Sequence, residues 1–400
     1  MAIDSNQTNH NHTDHPGGLE DVQRTLRLAV EASVGSVFTE GNQVTVLKNG
    51  VEIFPSMLEA IRGAEKSIEF LTFIYWTGDI AREFADALSE QAQAGVRVRV
   101  LLDAYGSRPM RDELIQQMKD AGVFVERFRP IVRWKMWESD HRTHRKILIV
   151  DSEVGFTGGV GIAEEWEGDA SGPTEWRDTH FRVAGPAVTS LRSTFLTDWR
   201  DTGHAITFAD VDVNRPEEVG ESLVAVVDGS AQIGYDDAER VLEALVAVAS
   251  RSIRIQTPYL NPTWDLVELL EQAVGRGVEV DIIIPGPHID KRISRVMARE
   301  ISQRLIGAGG RVWSYQPTMM HVKTALVDGV LSLVGSINVN RRSTEKDEEV
   351  ALAICDRAVT AKLEAHFSED LEQSEPVTPE ARSLLQRIKT SLVRPLIHEM

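Results

Sequence analysis

The sequence predicts an α/β protein made of two copies of one domain, and three observations carry that expectation. The chain says the same thing twice: SIEFLTFIYWTGD, GVRVRVLLDA, AGVFVERF and HRKILIVD in the first half are answered by SIRIQTPYLNPTWD, GVEVDIIIPG, GGRVWSYQ and HVKTALVD in the second. Landmarks such as Ile68 and Ile253, Gly95 and Gly277, and His144 and His321 recur in one order at similar separations. Short Val/Ile/Leu runs alternate with amphipathic stretches, which argues for βαβ units, a mixed, mostly parallel sheet and flanking helices. Finally, 400 residues are too many for one ordinary core and suit two domains of similar size.

The elements follow in order. Residues 1–18 are polar and turn-rich and are expected to be a disordered tail, its His10, His12 and His15 included. The first domain is expected over 19–215. Its helical runs, such as IAREFADALSEQAQAG, place apolar residues at intervals of three and four, and Gly95 stops that run before the next strand. The polar stretch Asp210–Gly220, with Arg215-Pro216, reads as the connection, and 216–400 as the second domain. There WDLVELLEQAVGRG repeats the helix and Gly277 its stop. After Ser374 the chain reads as a turn, a helix and an apolar end.

Composition narrows the function classes. Hydrophobic residues at 42% and charged residues at 26% are ordinary globular usage. The formal charge of −18 opposes nonspecific approach to nucleic acid and makes a nuclease the less favoured reading. One cysteine, Cys355, excludes an intrachain disulfide and a Cys-based zinc site and reads as a small buried hydrophobe. No run reaches the 18 apolar residues of a membrane span, and the opening lacks the order of a secretory signal, so a cytoplasmic location is expected.

The chemistry concentrates in two H-x-K-x4-D segments: His144, Lys146 and Asp151, then His321, Lys323 and Asp328. On a strand, each His and its Lys project together, whereas each Asp points the other way and reads as a structural turn or strand-end residue. The same parity separates His141 from His144 and speaks against a shared zinc ion. Small-residue turns follow each segment, Thr157-Gly158-Gly159-Val160-Gly161 and Gly335-Ser336-Ile337-Asn338. They read as a phosphate cradle, with Gly159, Ser336 and Asn338 as its contacts.

HRKILIVDSEVGFTGG and HVKTALVDGVLSLVGSINVNRRS resemble the two signature motifs of the phospholipase D superfamily. THRKILIVD, FTGG, WRDTHFRV and GSINVNRRS are similar to segments of its bacterial cardiolipin synthase branch, and the likeness covers roughly residues 43 to 370. One departure is Gly161, where that branch commonly has Asn, as at the matching Asn338. The resemblance implies two phospholipase D-like domains with one active site at their interface. It implies that His144 attacks phosphorus, that His321 protonates the leaving alkoxide, and that Asp178 and Glu349 stand behind the histidines that precede them. Glu348 rivals Glu349 for this place.

Paired imidazoles can supply both a nucleophile and an acid near neutral pH. Lys146, Lys323, Ser336 and Asn338 would offset charge on the phosphoryl oxygens, so neither metal nor cofactor is implied. The expected reaction is phosphatidyl transfer through a phosphohistidine, with an anionic lipid such as phosphatidylglycerol as donor and acceptor. Hydrolysis by the same site, a nuclease, and a noncatalytic lipid-binding module are the rivals, the last opposed by the intact His/Lys pairs. Between Glu126 and Lys146 lie seven Lys and Arg against three acids, interleaved with aromatics. Arg133, Trp134, Lys135 and Trp137 in this loop are the expected contacts of a peripheral protein with a membrane.

Overall fold

The structure is a computed structural model that describes residues 18–130, 141–207, 210, 216–229 and 237–379. The first half opens with helix α1 (Leu19–Val34), strand β1 (Thr39–Lys48) and α2 (Asn49–Arg62). Three strands joined by two helices follow: β2 (Ser67–Thr72), α3 (Asp79–Gln93), β3 (Arg97–Asp103), α4 (Asp112–Asp120) and β4 (Phe124–Phe128). The short β5 (Arg142–Thr143) precedes an antiparallel run of β6 (Ile147–Val150), β7 (Val154–Gly158) and β8 (Thr179–Ala184), closed by α5 (Ala187–Asp201). The second half repeats this plan with β9 (Ser222–Gly229), α6 (Asp237–Val248), β10 (Ser252–Gln256), α7 (Trp264–Gly275), β11 (Glu279–Pro285), α8 (Arg292–Ala308) and β12 (Arg311–Tyr315). Its own run is β13 (Thr324–Val327), β14 (Leu331–Gly335), α9 (Arg341–Glu345) and β15 (Asp347–Cys355), ending in α10 (Arg357–Glu372) and β16 (Ser374–Pro376).

Local sequence accounts for these elements. Along α3, Ile80, Phe84, Ala87 and Leu88 recur at helical spacing and are buried. Every residue of β2 is buried, because helices cover both faces of the sheet there. Thr263 caps α7 by accepting from the Leu266 amide, and Asp356 caps α10 by accepting from Ala358 and Val359.

Strand order is β4-β3-β2-β6-β7-β8-β1 in the first half and β9-β15-β14-β13-β10-β11-β12 in the second, with β16 outermost. Antiparallel pairing of β1 with β9 fuses the two sheets into one. Parallel pairing is confined to β2-β3-β4, β10-β11-β12 and the short β5–β15 ladder, a smaller share than the mostly parallel sheet expected. The reason lies in the connections: β6–β7 and β13–β14 are joined by tight turns, which permit only antiparallel neighbours. A second difference concerns α1, expected in the first domain. Its Leu26 and Val30 pack with Val241, Leu245 and Ile253 in the core of the second half, and buried Cys355 belongs to the same cluster.

Candidate active site

The catalytic candidates converge where the two halves meet. His144 and Lys146 lie just ahead of β6, and His321 and Lys323 just ahead of β13, rather than inside strands as the parity reading assumed. Each lysine ammonium donates to the carbonyl of its own histidine, at 2.7 Å for Lys146 and 2.6 Å for Lys323. The motif aspartates stand one turn beyond. Asp151 accepts from the amides of Glu65, Lys66 and Ser67, and Asp328 from those of Ser250, Arg251 and Ser252, so each ties its turn to the start of β2 or β10. Both take positive φ, 54° and 56°.

The carboxylates cross between halves, a correction to the expected pairing of each acid with the histidine before it. His144 Nδ1 lies 3.0 and 3.2 Å from the oxygens of Glu349, on β15. His321 Nδ1 lies 2.7 Å from Asp178, at the start of β8. Backbone pairing enforces the crossing: His144 donates its amide to Glu348 of the second half, and His321 donates its amide to Arg177 of the first. Glu348 does not compete for a catalytic ring, being turned to Arg129 at 2.8 Å and Arg145 at 3.4 Å. Arg145, wholly buried, also holds Asp198 and Asp228 in an ion network beneath β5.

The cradle reading changes as well. The Gly159 and Ser336 amides are spent on the carbonyls of Thr179 and Val350, and the Ser336 hydroxyl donates to Glu349. What Gly159 supplies is room, since a Cβ there would come within 2.7 Å of Asp178 Cγ. Asn338 donates from its amide nitrogen to Ser343, and its buried oxygen, an acceptor, has no partner among the described residues. Gly161 departs from Asn because Ile74 fills the space, with a Cβ contact of 2.6 Å if one were added.

Burial dominates the electrostatics. It holds His144 and His321 down to about 4; their carboxylates pull upward, but each ring also feels both lysines. That mutual influence places the four cationic or titrating groups in one field. Burial likewise lowers Lys146 to about 8 and Lys323 to about 7. For Glu349 and Asp178 burial pushes upward, yet the adjacent His and Lys charges outweigh it and hold both below the ordinary carboxylate range.

Three residues that the motif reading missed shape the site. Trp166 donates its indole N–H to Asp178 at 2.9 Å, the service that the Ser336 hydroxyl performs for Glu349. Trp176 and Phe73 lie beside the rings of His321 and His144, at centroid distances of 5.2 and 4.9 Å. Only the W-R-D junction hinted at this, by placing an aromatic two residues ahead of Asp178. Elsewhere His141 bonds the Lys346 carbonyl, His204 pairs with Glu126, and Tyr75 is a core residue whose hydroxyl donates to the Ala81 carbonyl. Tyr259 donates to Asp290 at the rim. Arg133, Trp134, Lys135 and Trp137 lie outside the described residues. Among the described residues no group of three or more His, Cys, Asp or Glu is gathered as a metal site requires, and no helix is long and apolar enough to cross a membrane.

The family model described as cardiolipin synthase, PLD-like domain, matches residues 57–165 and 242–371. A probable cardiolipin synthase of Bacillus subtilis is 32% identical over 94% of this chain and 76% of its own length. The major cardiolipin synthase of the same organism is 33% identical over 90% of this chain and 76% of its own. Among solved structures, phosphatidylserine synthase from Haemophilus influenzae superposes with a TM-score of 0.72 at 17% identity, covering 95% of this chain and 100% of that one.

Proposed function

Because the chain belongs to the cardiolipin synthase branch of the phospholipase D superfamily and is a phosphatidyltransferase, we propose that it joins two phosphatidylglycerol molecules through a phosphohistidine on His144. The observation that carries this reading is the crossed pair of histidines, His321 buried and His144 partly so, each completed by the other half's acid and each within the field of both lysines. With Nδ1 held by Glu349, His144 presents Nε2 to phosphorus. Its neutral ring at pH 7 is the nucleophilic form. Attack forms the P–N bond as the P–O bond to glycerol breaks, and His321 supplies the alkoxide with a proton.

The resting His321 is neutral too, so its proton must be taken up with the substrate. A phosphodiester brings a negative charge between Lys146 and Lys323, which relieves their repulsion of an imidazolium, and Asp178 then stabilises it. The acceptor hydroxyl reverses the sequence. The donor and acceptor are anionic lipids met through peripheral contact with a bilayer.

The test is direct. Purified protein mixed with phosphatidylglycerol vesicles should release glycerol and form diphosphatidylglycerol in equal amounts. Release of glycerol with phosphatidic acid as the sole lipid product would make the enzyme a hydrolase instead.

A further inference from the structure

The two histidines stand in unlike surroundings, although the duplication would make them alike. Beside His321 lie the rings of Trp166 and Trp176, each at 5.2 Å, and the two indoles meet edge to face at 4.5 Å. Trp76 continues the row at 6.3 Å from Trp166, fixed by an indole N–H donated to the Gly106 carbonyl. Trp166 is buried, while Trp76 and Trp176 are only half-buried and keep surface to offer. Among the described residues one ring, Phe73, lies beside His144. The second-half positions that answer Trp76 and Trp176 are Asn261 and Asp347, by the strand registers that match Ser67 with Ser252 and Asp178 with Glu349. Among the described residues the aromatic wall is therefore a feature of the His321 side of the site and does not follow from the repeat.

We propose that Trp76 and Trp176, backed by the buried Trp166, form the acceptor subsite, a wall that packs against the carbon face of a small polyol and keeps water from the phosphoenzyme. This rests on the reading that His144 carries the phosphatidyl group and His321 handles the alcohol proton. In-line displacement puts the entering oxygen opposite His144, on the side of His321, whose Nδ1 is held by Asp178 and whose Nε2 lies 3.3 Å from the Lys323 ammonium. The alcohol oxygen bonds to phosphorus as the P–N bond breaks. The bond pair returns to the His144 ring, and the hydroxyl proton passes to His321 Nε2. Water can perform the same step, so transfer prevails only if the site binds the alcohol and excludes solvent. Indole faces do both: they offer a large rigid apolar surface to C–H groups and no acceptor to a water molecule.

The experiment follows both products from phosphatidylglycerol vesicles, diphosphatidylglycerol and phosphatidic acid, for the parent, Trp176→Ala, Trp176→Phe and Trp76→Leu. The ratio of transfer to hydrolysis should fall roughly tenfold in Trp176→Ala, the scale on which a lost apolar contact changes selectivity, and recover most of the way in Trp176→Phe. Total phosphodiester cleavage should change far less. Trp76→Leu tests the wall from its other end and decides the matter if Trp176→Ala fails to fold. Parallel loss of both products, or an unchanged ratio, overturns the proposal while leaving the transferase intact. A parent that performs no transfer overturns the proposal together with the function on which it rests.

Discussion

His144 and His321 are as costly to keep buried as they are useful, and both properties can be measured. If the rings act as one unit, His144→Asn and His321→Asn each remove nearly all turnover and the double change costs little more. Additive losses would separate the two roles. A phosphoenzyme should be trapped in His321→Asn and not in His144→Asn, by radiolabel retained on denatured protein. The same rings, with buried His180 at about 3, couple folding to acid. An unfolded imidazole titrates at 6.5, above the folded values of about 4, so the unfolded state takes up protons first as pH falls. Stability is thus full above about 6.5 and is lost progressively as pH falls toward the folded values. Each ring adds up to about 1.4 kcal/mol per pH unit in that window. Urea midpoints between pH 7 and 4.5 should fall, and less steeply in His180→Gln; an equal slope would assign the acid sensitivity elsewhere. The sequence made the histidines and lysines legible through their repetition. It hid which acid serves which ring, because that depends on backbone pairing between the halves, such as His321 with Arg177.

Among the elements, α10 shows how a segment outside the motifs fixes the site. Its Asp370 holds Arg177, both about 1% exposed, while Arg177 also donates to the carbonyl of Asp178. Arg177→Met leaves Asp370 buried without its cation, so the protein should lose about 3–5 kcal/mol in denaturant unfolding. Pairing it with Asp370→Leu should recover much of that loss, since the stranded charge is then gone. No recovery would mean that the arginine acts through its contacts with Asp178 and Thr179 instead. Amphipathic spacing made α3 and α7 readable, and the helix-stop glycines marked their ends. The hairpins were harder: HRKILIVD looks like any strand of a βαβ series, and only the tight turn at Asp151 makes its neighbour antiparallel.

Over the whole molecule, the duplication was plain in the repeated landmarks, but the docking of α1 on the second half was not, because an amphipathic helix does not name the face it will meet. Charge is a question at this scale as well. A chain of −18 is repelled by an anionic bilayer, yet beyond a Debye length of about 8 Å that repulsion is screened, and each nearby Lys or Arg can contribute roughly 1 kcal/mol. Changing Arg133, Trp134, Lys135 and Trp137 together to Ser should abolish vesicle binding in a sedimentation assay while sparing a short-chain soluble phosphodiester. Bilayer activity equal to the parent's would place the docking surface elsewhere. The crossed acids carry one more consequence, for the order in which the chain is made. On the ribosome His144 emerges 205 residues before Glu349, so throughout that interval the nascent protein holds this imidazole without its carboxylate. A message broken before β15 is therefore expected to yield an inert fragment, seen as no glycerol released from phosphatidylglycerol vesicles.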